Sequence, residues 1–159
     1  MFEAILAALV AHQVRFVLIG GVAATIHGSA RFTNDIDLCY DAAPDNIDRL
    51  VAILVEWQAY LRGVEPGLPF MLDARTFRTT PVLTLTTTMG AIDLLDRVPG
   101  VGAYAEALAA SEEVEIGSTI FRALTLEALI ASKQAVRRKK DLEQLVELEA
   151  ILAMRRAAG

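Results

Sequence analysis

Apolar positions near the start of the chain fall at Phe2, Ile5, Leu6, Leu9, Val10 and Val14, a spacing that lays one stripe along a helix over 2–14. Arg15–Ile19 is a short β-branched and aromatic run that closes on Gly20-Gly21, so a strand entering a tight turn is predicted. Val22–His27 supports a short helix with Gly28 as its C-terminal cap, and Ile36–Tyr40 reads as a second buried strand. Pro44 stands where a helix would take its first turn, ahead of a strongly periodic segment, Asp45–Leu61. Gly63, Pro66, Gly67 and Pro69 then make 62–70 a loop.

In the second half, Val82–Met89 alternates in strand fashion and Ala91–Leu95 follows, a hairpin turning at Gly90. Pro99-Gly100 is the next break, before a short helix over Val101–Ala110. Glu113–Ile116 and Thr119–Ala123, joined by Gly117-Ser118, form a small hairpin. Thr125 caps a helix over Leu126–Arg137, and a last helix covers Lys140–Met154. The fold class expected is α/β (α+β): a mixed β-sheet flanked by helices, with a helical C-terminal tail.

Length, composition and charge narrow this picture. A chain of 159 residues is the size of one domain, expected to span 1–159 with a sheet core over about 15–123 and the tail over about 125–156. The single cysteine, Cys39, excludes an internal disulfide framework and a cysteine-built zinc site. Cys39 beside Tyr40 is expected in the core, and His12 and His27 at helix ends. The 54% hydrophobic content and mean hydropathy of +0.42 raise the question of membranes. The longest apolar stretches are broken by Gly20-Gly21 or by Asp48, Arg49 and Glu56, and fall short of the roughly 20 residues a span requires. Met1-Phe2-Glu3 opens without a basic region, so no secretory signal is expected and the protein reads as cytoplasmic. The apolar surplus leaves room for a homodimer.

Charge is uneven. Residues 1–121 carry 7 Arg and no Lys against 15 acids, whereas 122–159 carry 8 basic residues against 5 acids. A pI near 5 argues against duplex DNA as a partner. The basic run Arg137-Arg138-Lys139-Lys140 is either a solvated helix face or a local anion site.

Three features carry the candidate chemistry. The first strand ends in Ile19-Gly20-Gly21, where glycines let the backbone approach a phosphate. After thirteen intervening residues comes Asp35-Ile36-Asp37-Leu38, and Asp93 lies in the apolar strand Ile92-Asp93-Leu94. Asp35 and Asp37, two apart on a strand, project from one face about 7 Å apart at the backbone. Like charges held so close are tolerable around a divalent cation, and hard oxygen ligands suit Mg²⁺ or Mn²⁺. Asp93 from a neighbouring strand would complete a two-metal site. Taken singly, each feature has a plainer reading: a turn, a solvated strand end, or a strand-end acid paired with Arg97. Trp57 and Phe70 fit core packing or a base-stacking surface, and Asp73, Arg75 and Arg78 lie where acceptor contacts could fall.

In this order and spacing the three motifs resemble the signature of the DNA polymerase beta-like nucleotidyltransferase superfamily. The segment His27–Asn34 is similar to the lead-in of its small bacterial members. Leu129–Lys133 through Arg138–Leu142 is similar to the closing segment of its toxin-like branch, and the resemblance covers about Phe16 to Leu152. It implies that Gly20 and Gly21 cradle a triphosphate, and that Asp35, Asp37 and Asp93 are catalytic and bind metal. Arg31 and Lys133 would neutralise phosphate charge, with Ser29 and Thr33 as further nucleotide contacts. The implied activity is a minimal Mg²⁺-dependent (or Mn²⁺-dependent) transfer of a nucleoside monophosphate from an NTP to an acceptor hydroxyl. The acceptor would be a tRNA end, a protein or a small molecule, and the setting a toxin with an antitoxin partner. The alternative is a non-catalytic nucleotide- or metal-binding module that acts through a partner protein.

Overall fold

A computed structural model describes residues 2–65 and 67–159; Met1, and Pro66 within the predicted loop, lie outside the described residues. In chain order the elements are α1 (Phe2–Ala11), β1 (Phe16–Ile19), α2 (Gly20–Ile26), β2 (Asp35–Tyr40), α3 (Pro44–Glu56), β3 (Tyr60–Leu61), α4 (Ala74–Thr79) and β4 (Val82–Thr87). There follow β5 (Gly90–Leu95), β6 (Arg97–Val98), β7 (Gly102–Ala103), α5 (Tyr104–Ala109), β8 (Ser111–Ile116), β9 (Thr119–Leu124), α6 (Leu126–Val136) and α7 (Lys139–Ala158). The mixed α/β class expected from the pattern is the one observed.

Seven strands form one sheet in the order β3-β4-β5-β2-β1-β9-β8. Its centre explains its stability. All four residues of β1 are buried, and β1 pairs antiparallel with β2 and parallel with β9. β2 in turn pairs parallel with β5, and β4 with β5 antiparallel. On β2, Ile36 and Leu38 are fully buried while Asp35 and Asp37 keep partial access, the alternation a pleated strand imposes. β5 repeats it with Ile92 and Leu94 buried around Asp93. Among the helices, α1 buries Ile5, Leu6 and Leu9 and packs near β9. Each such side chain is worth about 1.5–3 kcal/mol when fully withdrawn from water.

Several boundaries differ from the pattern-based expectation. The periodic segment after Pro44 is helical only to Glu56; Gln58 takes a left-handed backbone (φ 54) and the chain re-enters the sheet at Tyr60–Leu61. Apolar Tyr60 and Leu61 fit either element, and pairing with Leu85 and Thr86 decides for strand. α4 is a helix beyond those the pattern predicts; Asp73 makes it, its carboxylate accepting from the Thr76 N–H while the Thr76 hydroxyl accepts from the Asp73 N–H. The β4–β5 hairpin turns at Thr88-Met89, with Gly90 already paired to Thr87. Thr125 does cap α6, accepting from the Ala128 N–H at 3.1 Å. No helix among the described residues is long and apolar enough to cross a membrane.

α6 and α7 pack against each other and meet at a corner where Arg137 is left-handed (φ 56). α7 is tied back to the segment that links α2 with β2. Glu147 accepts from the Ser29 hydroxyl at 2.6 Å and from the Ala30 N–H at 3.0 Å. Arg155 donates to His27 Nδ1 at 3.0 Å and to the His27 carbonyl at 3.2 Å, and His27 Nε2 lies 2.7 Å from the Leu124 carbonyl. The ring therefore donates from Nε2 and accepts at Nδ1, a structural role at the end of α2.

Candidate active site

The register of two strand pairs builds the site. β2 and β5 run parallel with Asp37 directly opposite Asp93, and β1 runs antiparallel to β2 with Ile19 opposite Asp37. Gly20 thus follows immediately beside Asp37. A Cβ on Gly20 would fall on Asp37 Oδ2, and Gly20 has φ +68, which favours glycine twice over. At Gly21 a Cβ would sit 3.0 Å from Thr33 Oγ1. Gly20 thus brings backbone directly against the Asp37 carboxylate, and Gly21 against the Thr33 side chain.

One carboxylate oxygen from each of Asp35, Asp37 and Asp93 lies within 4.8 Å of the others. Like charges at about 5 Å repel by roughly 3 kcal/mol at an effective dielectric near 20. Burial, and then the charges of Asp93 and Asp35, push the Asp37 carboxyl well above its ordinary range. Asp93 is also raised, by burial first, with Arg62 pulling the other way. Asp37 Oδ1 and Asp93 Oδ1 are buried without a hydrogen-bond partner among the described residues. Orphaned oxygens of this kind are costly unless something binds them. Three hard oxygen donors, with Asp37 Oδ1 buried and unpartnered and Asp93 Oδ1 met only by the charge of Arg62, fit a divalent cation of the Mg²⁺ or Mn²⁺ type.

All nine residues singled out from the sequence border one cavity of about 440 Å³: Gly20, Gly21, Ser29, Arg31, Thr33, Asp35, Asp37, Asp93 and Lys133. They are not equally free. Thr33 donates to the Asp35 carbonyl at 3.0 Å and so braces the first acid. The Ser29 hydroxyl is taken by Glu147, and Arg31 lies 3.9 Å from the same carboxylate. Lys133 Nζ stands 3.3 Å from Asp141, and its charge reaches Asp37, where it favours the ionised form. Phe32, almost wholly exposed, stands on the cavity wall. Trp57 is core, and Phe70 packs edge-on against Tyr60.

Two partners escaped the sequence reading. Asp93 does not pair with Arg97, which lies exposed on β6; its cation is Arg62, Nη2 at 2.7 Å. Arg62 sits in a loop-forming stretch, and its only hint was that a strand-buried acid requires a cation from somewhere. The other is Asp141, fully buried, which accepts from Arg138 Nε at 2.8 Å, from the Arg138 N–H at 3.0 Å and from Lys133. Arg138, with further help from Lys133, holds this carboxyl down to about 2. An acid embedded in a basic run is the signal that could have found it.

Residues 4–136 match the model of the family described as "Nucleotidyl transferase AbiEii toxin, Type IV TA system". The chain belongs to that family. The match covers α1 through α6 and so contains the glycine turn, all three acids and Lys133. It places the protein among nucleotidyltransferases of the toxin-like branch, in line with the superfamily resemblance of its motifs. Asp141 and α7 lie beyond the AbiEii match. No curated protein matches the chain.

Proposed function

We propose that the protein is a minimal, Mg²⁺-dependent nucleotidyltransferase that moves a nucleoside monophosphate from an NTP to an acceptor hydroxyl. The observation that carries this reading is the Asp35–Asp37–Asp93 cluster, with Asp37 Oδ1 buried and unpartnered, set directly beside the Gly20-Gly21 turn. Asp35, Asp37 and Asp93 would hold the divalent cation, which when bound supplies charge neutralisation for the phosphates and acidifies an adjacent hydroxyl.

The chain's own groups do the rest. The Gly20 and Gly21 backbone, free of side chains, takes the triphosphate close to the acids. Lys133 offsets phosphate charge as a point charge, and Arg31 adds a fork at the cavity wall once drawn from Glu147. Asp93 accepts the proton of the acceptor hydroxyl as its oxygen bonds to the α-phosphorus. The bond from the α-phosphorus to the bridging oxygen breaks in line, and pyrophosphate leaves with that electron pair. Positioning and electrostatics supply most of the acceleration, as in other phosphoryl transfers.

The acceptor is a tRNA end, a protein hydroxyl or a small molecule, and membership of a type IV toxin family supports action as a toxin in the cytoplasm with an antitoxin partner. The test is incubation of the full chain with Mg²⁺, α-labelled NTPs, bulk tRNA and cell lysate. Label should move to one acceptor class and be lost in Asp35→Ala and Asp37→Ala. Transfer that survives both substitutions overturns the mechanism; absence of NTP binding by calorimetry in Mg²⁺ overturns the reading altogether.

A further inference from the structure

Arg62 is the one cation in direct contact with two members of the acid cluster among the described residues. Its Nη2 lies 2.7 Å from Asp93 Oδ1 and its Nη1 3.5 Å from Asp35 Oδ2. The alignment matters as much as the distance. The Nη2 protons go to the Leu85 carbonyl at 2.8 Å and the Ile92 carbonyl at 3.4 Å, so Asp93 Oδ1 receives charge but no hydrogen bond. The backbone is held too: the Arg62 N–H donates to the Thr84 carbonyl at 2.9 Å, continuing the β3–β4 pairing by one residue. Arg62 does not border the cavity that the three acids border. The guanidinium is therefore pinned against the carbonyls of β4 and β5.

We propose that Arg62 is a positioning residue and built-in counter-ion that weakens divalent-cation binding to the free protein and so couples it to nucleotide. The inference rests on the acid cluster being the cation site proposed above. Arg62 sets one fixed positive charge against the three carboxylates, and so lowers the negative charge that the cluster offers a divalent ion. Lys133, whose charge also reaches Asp37, lowers the attraction further. A triphosphate entering the cavity would restore negative charge and with it the affinity for metal. Arg62 keeps its place throughout, because leaving would strand two carbonyls of β4 and β5 and expose its contact with Asp93.

The experiment is nucleotide-free Mn²⁺ binding to the full chain, followed by electron paramagnetic resonance of free Mn²⁺ and by calorimetry. Arg62→Gln should bind Mn²⁺ about tenfold or more tightly than wild type, the scale expected for removing one unit charge near a divalent ion. Arg62→Lys, which keeps the charge, should stay close to wild type. The gain in Arg62→Gln should shrink when a non-hydrolysable NTP analogue is present. A role confined to bracing β3, β4 and β5 would lower stability without tightening Mn²⁺ binding, and that result overturns the proposal. Because Arg62→Gln could lose its fold, the wild type carries a second measurement by NMR. The Arg62 Nε–H signal should shift on Mg²⁺ addition yet stay protected from exchange; an unchanged or freely exchanging signal overturns the proposal. If wild type and Arg62→Gln bind Mn²⁺ equally, the counter-ion idea fails while the cation site stands. If neither binds with or without nucleotide, both fail.

Discussion

Gly20 shows how much one residue can decide. Its position requires a left-handed backbone, and its missing side chain is the space that Asp37 occupies. A Cβ there forces either the turn or the acid to move. Gly20→Ala should therefore cost about 2 kcal/mol or more, combining left-handed strain with displacement of Asp37. Urea unfolding of the variant measures the loss, and label transfer should fall with it. Gly21→Ala meets the Thr33 hydroxyl at 3.0 Å and has a partner able to give, so its effect should be the smaller of the two. The contrast between the two variants is the sharper measurement: equal losses would mean that Asp37 does not depend on that open space.

At the scale of elements, the α6–α7 corner carries a titratable lock. Asp141 sits three residues into α7 beyond its N-cap Arg138, accepts from that residue's backbone and side chain, and also holds Lys133 of α6. Its carboxyl is lowered from 3.8 to about 2 in the folded protein. The sign follows: the unfolded chain takes up the proton first as pH falls. The stabilisation is thus fully present above about pH 4 and disappears progressively as pH approaches 2. Asp141→Asn should lower stability by about 2–4 kcal/mol at neutral pH, since it leaves two cations facing a buried neutral group. The gap between wild type and variant, read from urea midpoints, should narrow steadily below pH 4. A gap independent of pH would assign the loss to packing.

The same elements show what pattern can and cannot reveal. Ile36 and Leu38, Ile92 and Leu94 advertise their strands because burial on one face imposes a period of two, and the acids between them stand out by contrast. Tyr60 and Leu61 extend a helical pattern without being helical, since only pairing with β4, distant in sequence, settles their state. Arg62 was hidden for the same reason. An arginine in a loop has no periodicity, and its partners come from β2 and β5, 27 and 31 residues away in sequence. Glu147 reaches back 118 residues to Ser29, a contact no local signal encodes. Motif residues were legible because chemistry fixes their type and local spacing; their partners were not, because only the completed sheet and the docking of α7 choose them.

For the whole molecule, the uneven charge along the chain resolves into one place. Acids of the first two thirds, Asp35, Asp37 and Asp93, border the same cavity as Lys133, Arg138 and Lys140 of the C-terminal segment. A cation and a polyanion entering together would each find the opposite sign, and each would improve the site for the other. Folding and ligand binding are then linked, because the acids and the bases come together only in the native state. At about 100 times its dissociation constant, a ligand that binds only the folded form adds about 2.7 kcal/mol. For a chain of this length that corresponds to a rise of about 5–10 °C in Tm. Mg²⁺ with a non-hydrolysable NTP analogue should give such a rise by scanning calorimetry, and more than the sum of the rises with either alone. Raising the ionic strength should erode it, as screening weakens both halves of the cavity. Additive shifts would show instead that metal and nucleotide occupy independent sites, and that the convergence of charge on one cavity does not serve a shared ligand.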